Sequence, residues 1–250
     1  MTPAPVVAQM QEEISKFFNC HIDEIDLDGG GGSWPKPMAF ELGPRDFLDF
    51  AEADLNAGIS THTLVNATSN LKRAVDCQLD HFLHVLNLDQ FYRRKRLGVD
   101  RKLGLLKKSG IFRSRSIEKL NALRNRLEHH YEAPVLEDVE VYFDLVAAFV
   151  SVVEAAIPLA GTSSEVSFTL MNGGRIDGKF SRDEPRMLLL LEHSESSYSR
   201  TFEANMSYSK DASSDLDRFA YLLRVHMLLR KWYDGCLTDR QFLKAIGTAE

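Results

Sequence analysis

Near the middle of the chain stands the run Leu123-Arg-Asn-Arg-Leu-Glu-His-His-Tyr-Glu-Ala-Pro134, which gathers side chains able to do chemistry on a phosphate. An imidazole titrates near neutrality and can give or take a proton, and a guanidinium offers a planar fork of donors to phosphate oxygens. Four residues separate Arg124 from His129, Asn125 follows the arginine, and Tyr131 lies two beyond the histidine. On a helix, steps of about 100° place Arg124 and His129 roughly 140° apart around the axis and about 7.5 Å apart along it. They do not share a face, whereas Asn125 and His129, at i and i+4, do. One helix is therefore a poor self-contained site. Each residue also has an ordinary structural use. Arg124 can pair with Glu128 at i+4, His129 can serve as an interfacial histidine, and Tyr131 can pack at a helix end. His130 competes with His129 for the chemical role; Asn125 at i−4 and the x-Tyr that follows favour His129.

These residues need a helix to carry them and neighbours to hold that helix. Ser116 can cap a helix from Ile117 to Tyr131, with Glu118 near its positive end, Ile117, Leu120, Leu123 and Leu127 as its apolar stripe, and Pro134 closing it. Before it, Asp46 to Ala57 reads as a helix ended by Gly58. Ser60 or Thr61 then caps a long helix to about Leu88, striped by Leu64, Ala67, Leu71, Val75, Leu79, Phe82 and Leu86. After it, Glu137 to Ile157 forms a further helix ending before Pro158. Its apolar core, Val141 to Ile157, contains Asp144 and Glu154 and is shorter than the roughly 20 residues of a membrane span. It is expected to be a buried helix that can also serve as a subunit interface.

Charge is distributed unevenly. The chain as a whole carries −6, yet Phe91 to Arg126 holds thirteen basic residues against Asp100 and Glu118. Such a block attracts polyanions, of which a phosphate backbone is the commonest in a cell. By itself it reads more readily as a solvated face balanced by acidic helices nearby or by an acidic partner chain. The block is partly helical, interrupted at Gly98, Gly104 and Gly110.

The pattern Arg124-Asn125-x3-His129-x-Tyr131, near the end of a helix between two long apolar helices, resembles the signature of HEPN domains, and the Arg-x4-His-x-Tyr form is similar to that of HEPN toxins paired with MNT nucleotidyltransferase antitoxins. The resemblance covers roughly residues 45–160. It implies a helical bundle, a homodimer with an isologous interface that interleaves two Arg/His sets into one cleft, and RNA cleavage with no metal and no cofactor. His129 would act as general base or acid on the ribose 2′-OH or the leaving 5′-oxygen. Arg124 would hold the scissile phosphate and Asn125 would orient either one, giving 2′,3′-cyclic phosphate and 5′-hydroxyl ends. Arg113, Arg115, Lys119 and Arg126 would bind flanking RNA phosphates. Tyr131 resembles the tyrosine that MNT antitoxins adenylylate, with Glu128 and His130 flanking the site. The implied role is a prokaryotic toxin or antiviral defence effector, restrained by an antitoxin or other regulatory protein. The alternative is a non-catalytic HEPN-like module that dimerises and binds RNA or a protein.

Outside that region, the first 20 residues form an amphipathic helix on Val6, Val7, Met10, Ile14 and Phe17/Phe18. His21 to Pro44, with Gly29–Gly32 and Trp34-Pro-Lys-Pro37, reads as a loop. No Gly-Lys-Ser/Thr follows the glycines, so they are not a phosphate loop. After Gly161, Val166–Leu170, Arg175–Phe180, Met187–Glu192 and Tyr198–Ala204 alternate as an antiparallel meander with a turn at Asn172-Gly-Gly. Ser214–Tyr233 returns to helix, and a short helix capped by Thr238 closes the chain. The expected class is mainly α: a HEPN-like helical bundle, then a small antiparallel β-meander and closing helices, α+β overall. The expected division is 1–44 (helix and Gly/Pro-rich loop), 45–160 (HEPN-like) and 161–250 (α+β, of unknown role).

One rival constellation lies on the long helix, where Cys77, His81 and His84 at i, i+4 and i+7, beside Asp80, could face zinc or iron. One helix supplies only part of such a shell, and the complements on offer are Cys20-His21 or His62. A polar seam is the plainer reading, and His226 among leucines reads as a core histidine. Asp26-x-Asp28 lacks the later ligands of a calcium loop. At 250 residues, 44% hydrophobic and 26% charged, the chain has a globular composition that excludes disordered, collagenous and disulfide-scaffold classes. Three scattered cysteines suggest free thiols in a reducing compartment. With no basic start or apolar h-region at the N-terminus, a soluble, cytoplasmic protein away from the membrane is expected.

Overall fold

The computed structural model describes residues 5–33, 40–112, 126, 135–161, 163–171, 173–206 and 212–247. Its class is α+β, mainly helical with one five-stranded antiparallel sheet. The chain divides into two compact units. One comprises Met1–Lys36, Val85–Leu97 and Pro158–Glu250, the other Pro37–His84 and Gly98–Ile157.

Among its described residues, the regular structure of the second of these is all helix. Its first helix, α2 (Pro44–Asn56), follows α1 (Pro5–His21) of the other unit. It starts with proline at N1, and the Gly43 N–H donates to Asp46 Oδ2 at 2.6 Å. In α3 (Thr61–Val85), Ser60 and Thr63 cap one another: the Thr63 N–H donates to Ser60 Oγ at 3.2 Å and the Ser60 N–H to Thr63 Oγ1 at 3.0 Å. The helix ends at Val85 rather than at about Leu88, and all seven residues of the expected apolar stripe, Leu64 to Phe82 on the helix and Leu86 just beyond it, are buried. After the short α4 (Asp89–Arg94) comes α5 (Val99–Lys108), which buries Leu103, Leu105 and Leu106. The long helix α6 (Leu136–Gly161) buries Val139, Tyr142, Val146, Phe149, Val150 and Val153 at i, i+3, i+4 and i+7 spacing. Its other side keeps Val141 67% and Val152 40% exposed. The Arg45 guanidinium on α2 holds Glu154 on α6 through Nε at 3.1 Å and Nη2 at 2.5 Å, and Lys102 on α5 pairs with Asp80 on α3.

One expectation about α6 changes. The helix does not stop before Pro158 but runs on to Gly161. A proline keeps a helical φ, and in the last turn its missing N–H forfeits a single bond. By length and composition, Leu136–Ala160 could also cross a membrane, with 33% of its most apolar window buried. Pro158, Leu159 and Ala160 extend the apolar run beyond Ile157, whereas Glu137, Asp138 and Glu140 precede Val141.

The other unit is built on the sheet, whose strand order is β1-β2-β3-β4-β5. The strands are β1 (Ile25–Ser33), β2 (Ser163–Leu170), β3 (Gly174–Ser181), β4 (Arg186–His193) and β5 (Tyr198–Asn205). The four-stranded meander lies where period-2 alternation places it. β1 falls in the segment expected to be a loop. It pairs antiparallel with β2 from Ile25↔Leu170 to Ser33↔Ser163, with a bulge between Leu27 and Gly29. A run of glycines has no side chains to alternate, so no strand signal exists; an edge strand needs only its backbone donors and acceptors on one side. Through β1 and α1, the N-terminal segment joins the residues after Pro158 in one unit.

Along β4, Met187, Leu189, Leu191 and His193 are buried and alternate with half-exposed residues, and β3 does the same with Ile176, Gly178 and Phe180. The helix α7 (Ala212–Tyr233) covers this face, and α8 (Asp239–Gly247) follows it. Gly178 gives α7 room: a Cβ there would stand 3.2 Å from Leu229 Cδ1 and 3.3 Å from His226 Nδ1. Phe168, Trp232, Phe242 and Phe18 form a chain of aromatic contacts, with centroids 5.1, 4.6 and 5.0 Å apart, linking β2, α7, α8 and α1.

Candidate functional site

Among the described residues, the titratable groups that converge lie at one end of the sheet, where α1 stops, β1 begins and β4 ends. β4 closes with His193 on its inward face, buried beneath the helices. α1 ends with His21, and one turn of 3₁₀ helix (Ile22–Glu24) carries Glu24 beneath it. Backbone bonds hold the three parts in place. The Met171 N–H donates to Glu24 O at 2.7 Å, and the Ser194 N–H to Gly173 O at 3.0 Å. Gly174 has φ +122°, and a Cβ there would come within 2.4 Å of Glu192 O, so only glycine lets β3 start this close to the end of β4.

The two imidazoles stack with centroids 3.9 Å apart and planes inclined by 27°. The Glu24 carboxylate spans both, with Oε1 3.3 Å from His21 Nδ1 and Oε2 2.8 Å from His193 Nε2. The Ser196 N–H donates to His193 Nδ1 at 3.2 Å. That makes Nδ1 an acceptor and places the ring proton on Nε2, which donates to Glu24. The Ser196 hydroxyl also lies 2.8 Å from Nδ1. Hydrogen bonding from His193 holds the Glu24 carboxyl below its usual range, against partial desolvation that pushes the other way, and His21 adds to the lowering. Phe17 packs on His21 at 4.9 Å and on Tyr198 at 5.4 Å, closing one side.

Chemically, two imidazoles and a carboxylate are a donor set for a borderline divalent cation. The order Ser196–His193–Glu24 also has the connectivity of a nucleophile, base and orienting group. However, the Nδ1 lone pair that would take the hydroxyl proton is already engaged by the Ser196 N–H.

The residues of the sequence motif are a different set. Arg113, Arg115, Lys119, Arg124, Asn125, Glu128, His129, His130 and Tyr131 lie outside the described residues. Arg126 is helical and exposed, 3.8 Å from Asp138 of α6. The flanks of the segment are well held. Phe112 is buried edge-on against Phe149 of α6 at 5.2 Å, and α6 itself begins at Leu136. The basic block is shared between the units. Arg93, Arg94, Lys95 and Arg96, all exposed, belong with the sheet, while Arg101 onward belongs with the helical unit.

The Cys77/His81/His84 set does not converge into a ligand group; among the described residues, the three that do are His21, Glu24 and His193. The half-buried Cys77 thiol points to the Leu42 carbonyl at 3.7 Å, and desolvation, with Asp80 and Asp46, pushes it up to about 11. A thiol kept protonated is a poor ligand. Desolvation, with the charge of His84, pushes His81 down. Cys20, Cys77 and Cys236 are all free thiols.

In the sequence His21 stands out only as a complement to Cys77, and neither Glu24 nor His193 stands out. Two signals were present. His21-x-x-Glu24 is an i, i+3 pair of ligand types closing a helix, and His193 falls at an inward position of an alternating strand, where a histidine is out of place. No protein-family model matches the chain, and no curated protein or solved structure matches it either.

Proposed function

We propose that the protein is a HEPN-type, metal-independent endoribonuclease that cleaves RNA at a composite Arg124/His129 site formed across a homodimer. The observation that carries this reading is the Arg124-Asn125-x3-His129-x-Tyr131 motif on the segment joining α5 to α6, inside a helical unit and beside a block of cations. The exposed valines on α6 support it as an apolar surface that a second copy can cover. The role that follows is that of a cytoplasmic toxin or defence effector, with an antitoxin or regulatory protein keeping it in check.

The test is incubation of wild type, Arg124→Ala and His129→Ala with total and transfer RNA in EDTA. Wild type is expected to leave 2′,3′-cyclic phosphate ends, and either substitution to slow cleavage by about 10²–10⁴-fold. Cleavage by His129→Ala at the wild-type rate would sink the proposal. The second reading, a non-catalytic module that binds RNA or a protein, draws on the roughly 140° between Arg124 and His129 on one helix. Its mark is salt-sensitive RNA binding without cleavage and without growth arrest on expression.

A further inference from the structure

We propose that His21, Glu24 and His193 form a binding site for one divalent first-row transition cation of the Zn(II) class, tying the end of α1 to the end of β4. These residues belong to the sheet unit and are none of those in the Arg124/His129 motif, so the proposal is independent of the reaction proposed above.

The donor chemistry fits. Two neutral imidazoles and one carboxylate suit a borderline cation rather than Mg(II) or Ca(II), which favour oxygen-only shells. The geometry fits as well. Bonds of 2.0–2.1 Å in a tetrahedral shell put ligand atoms about 3.3 Å apart. His21 Nδ1 lies 3.3 Å from Glu24 Oε1 and His193 Nε2 lies 2.8 Å from Glu24 Oε2, and one ligand atom from each of the three residues lies within 4.8 Å of the other two. The widest pair must therefore close by at most about 1.5 Å, a movement that His21, the last residue of its helix, can supply through its side-chain torsions. The side chains of His21 and Glu24 remain 17% and 25% exposed, while that of His193 is only 5% exposed. The site thus has an inner anchor and an outer entrance, with a fourth position facing solvent.

A supporting shell is already in place. With a cation on Nε2, His193 stays neutral and its ring proton moves to Nδ1, where the Ser196 hydroxyl oxygen at 2.8 Å accepts it. The cost is the bond from the Ser196 N–H. The carboxylate now bridging two rings by hydrogen bonds would instead bridge them through the ion. Two segments 169 positions apart in sequence meet here, so a bound cation closes the sheet end much as a covalent clip would.

The experiment uses full-length protein treated with EDTA, dialysed, and titrated with Co(II) and then Zn(II). The expected result is one Co(II) per chain with visible ligand-field absorption, its displacement by Zn(II), and a rise in Tm. Glu24→Gln and Ser196→Ala should each weaken Zn(II) binding at least about 10-fold. His21→Ala should abolish the Co(II) spectrum, and Cys20→Ser and Cys77→Ser should leave both readouts unchanged. Glu24→Gln preserves shape, so it decides the matter even where a substitution at the buried His193 fails to fold. Absence of stoichiometric binding, or binding that survives both Glu24→Gln and His21→Ala, overturns the proposal. Because the readouts are spectra and stability, failure here leaves the nuclease reading standing, and loss of RNA cleavage leaves this one standing.

Discussion

His226 shows how much one residue can control. It sits fully buried on α7 against Gly178 of β3, and burial, assisted by the positive charge of Arg230, lowers its pKa to about 4. In the unfolded chain the same imidazole titrates near 6.5. Above that pH both states are neutral and the group contributes no pH dependence. As pH falls from about 6.5 toward 4, the unfolded chain takes up a proton that the native state refuses, so stability declines, by about 2 kcal/mol at pH 5. Glu24, lowered in the folded state, destabilises in the same direction at more acidic pH. Urea titrations at pH 7 and pH 5 on wild type and His226→Leu should therefore show a markedly flatter response in the variant. Parallel declines would show that His226 does not carry the effect.

At the scale of the element, the caps decide where helices begin and the aromatic contacts decide where they dock. α8 opens with a reciprocal box: the Gln241 N–H donates to Thr238 Oγ1 at 3.4 Å and the Thr238 N–H to Gln241 Oε1 at 2.9 Å. The helix is only nine residues long and carries Phe242 between Trp232 and Phe18. So short a helix is not stable alone, and its cap matters accordingly. Thr238→Ala is expected to cost about 1 kcal/mol, lowering Tm by about 2–4 °C. Calorimetry tests this, and an unchanged Tm would mean that aromatic packing alone holds α8. The capping box was legible as Thr-x-x-Gln in the sequence. The Pro158 passage through α6 was not, because a proline reads locally as a stop whichever turn it falls in.

For the molecule as a whole, the charge pattern makes a prediction about nucleic acid. Arg93, Arg94, Lys95 and Arg96 are four consecutive exposed cations on and after α4, and the Leu97 N–H, bonded to Tyr92 O at 3.0 Å, fixes the turn that presents them. If they contact about four phosphates of a single strand, affinity should fall roughly 50-fold between 50 and 200 mM salt. Arg93→Ser/Arg94→Ser/Arg96→Ser should reduce the slope of log K against log salt by about 2. Fluorescence anisotropy with a labelled oligoribonucleotide measures both, and an unchanged slope would place RNA, if bound, on other residues.

Sequence alone determined what depends on near neighbours. The stripe on α3, the alternation of β2 to β5 and the Thr238 cap are periodicities of a few residues, and helices and strands obey them wherever they dock. The Arg124-Asn125-x3-His129-x-Tyr131 pattern is equally local, and the functional proposal rests on it. Tertiary structure decided what depends on distant partners. A glycine-rich segment becomes β1 because β2, more than 130 residues later, offers its free edge. The segment before residue 37 joins the sheet unit for the same reason. The bond from His193 to Glu24 spans 169 positions. No spacing rule links such residues: a strand's edge and an inward-facing imidazole acquire meaning only when the folded backbone places another segment against them.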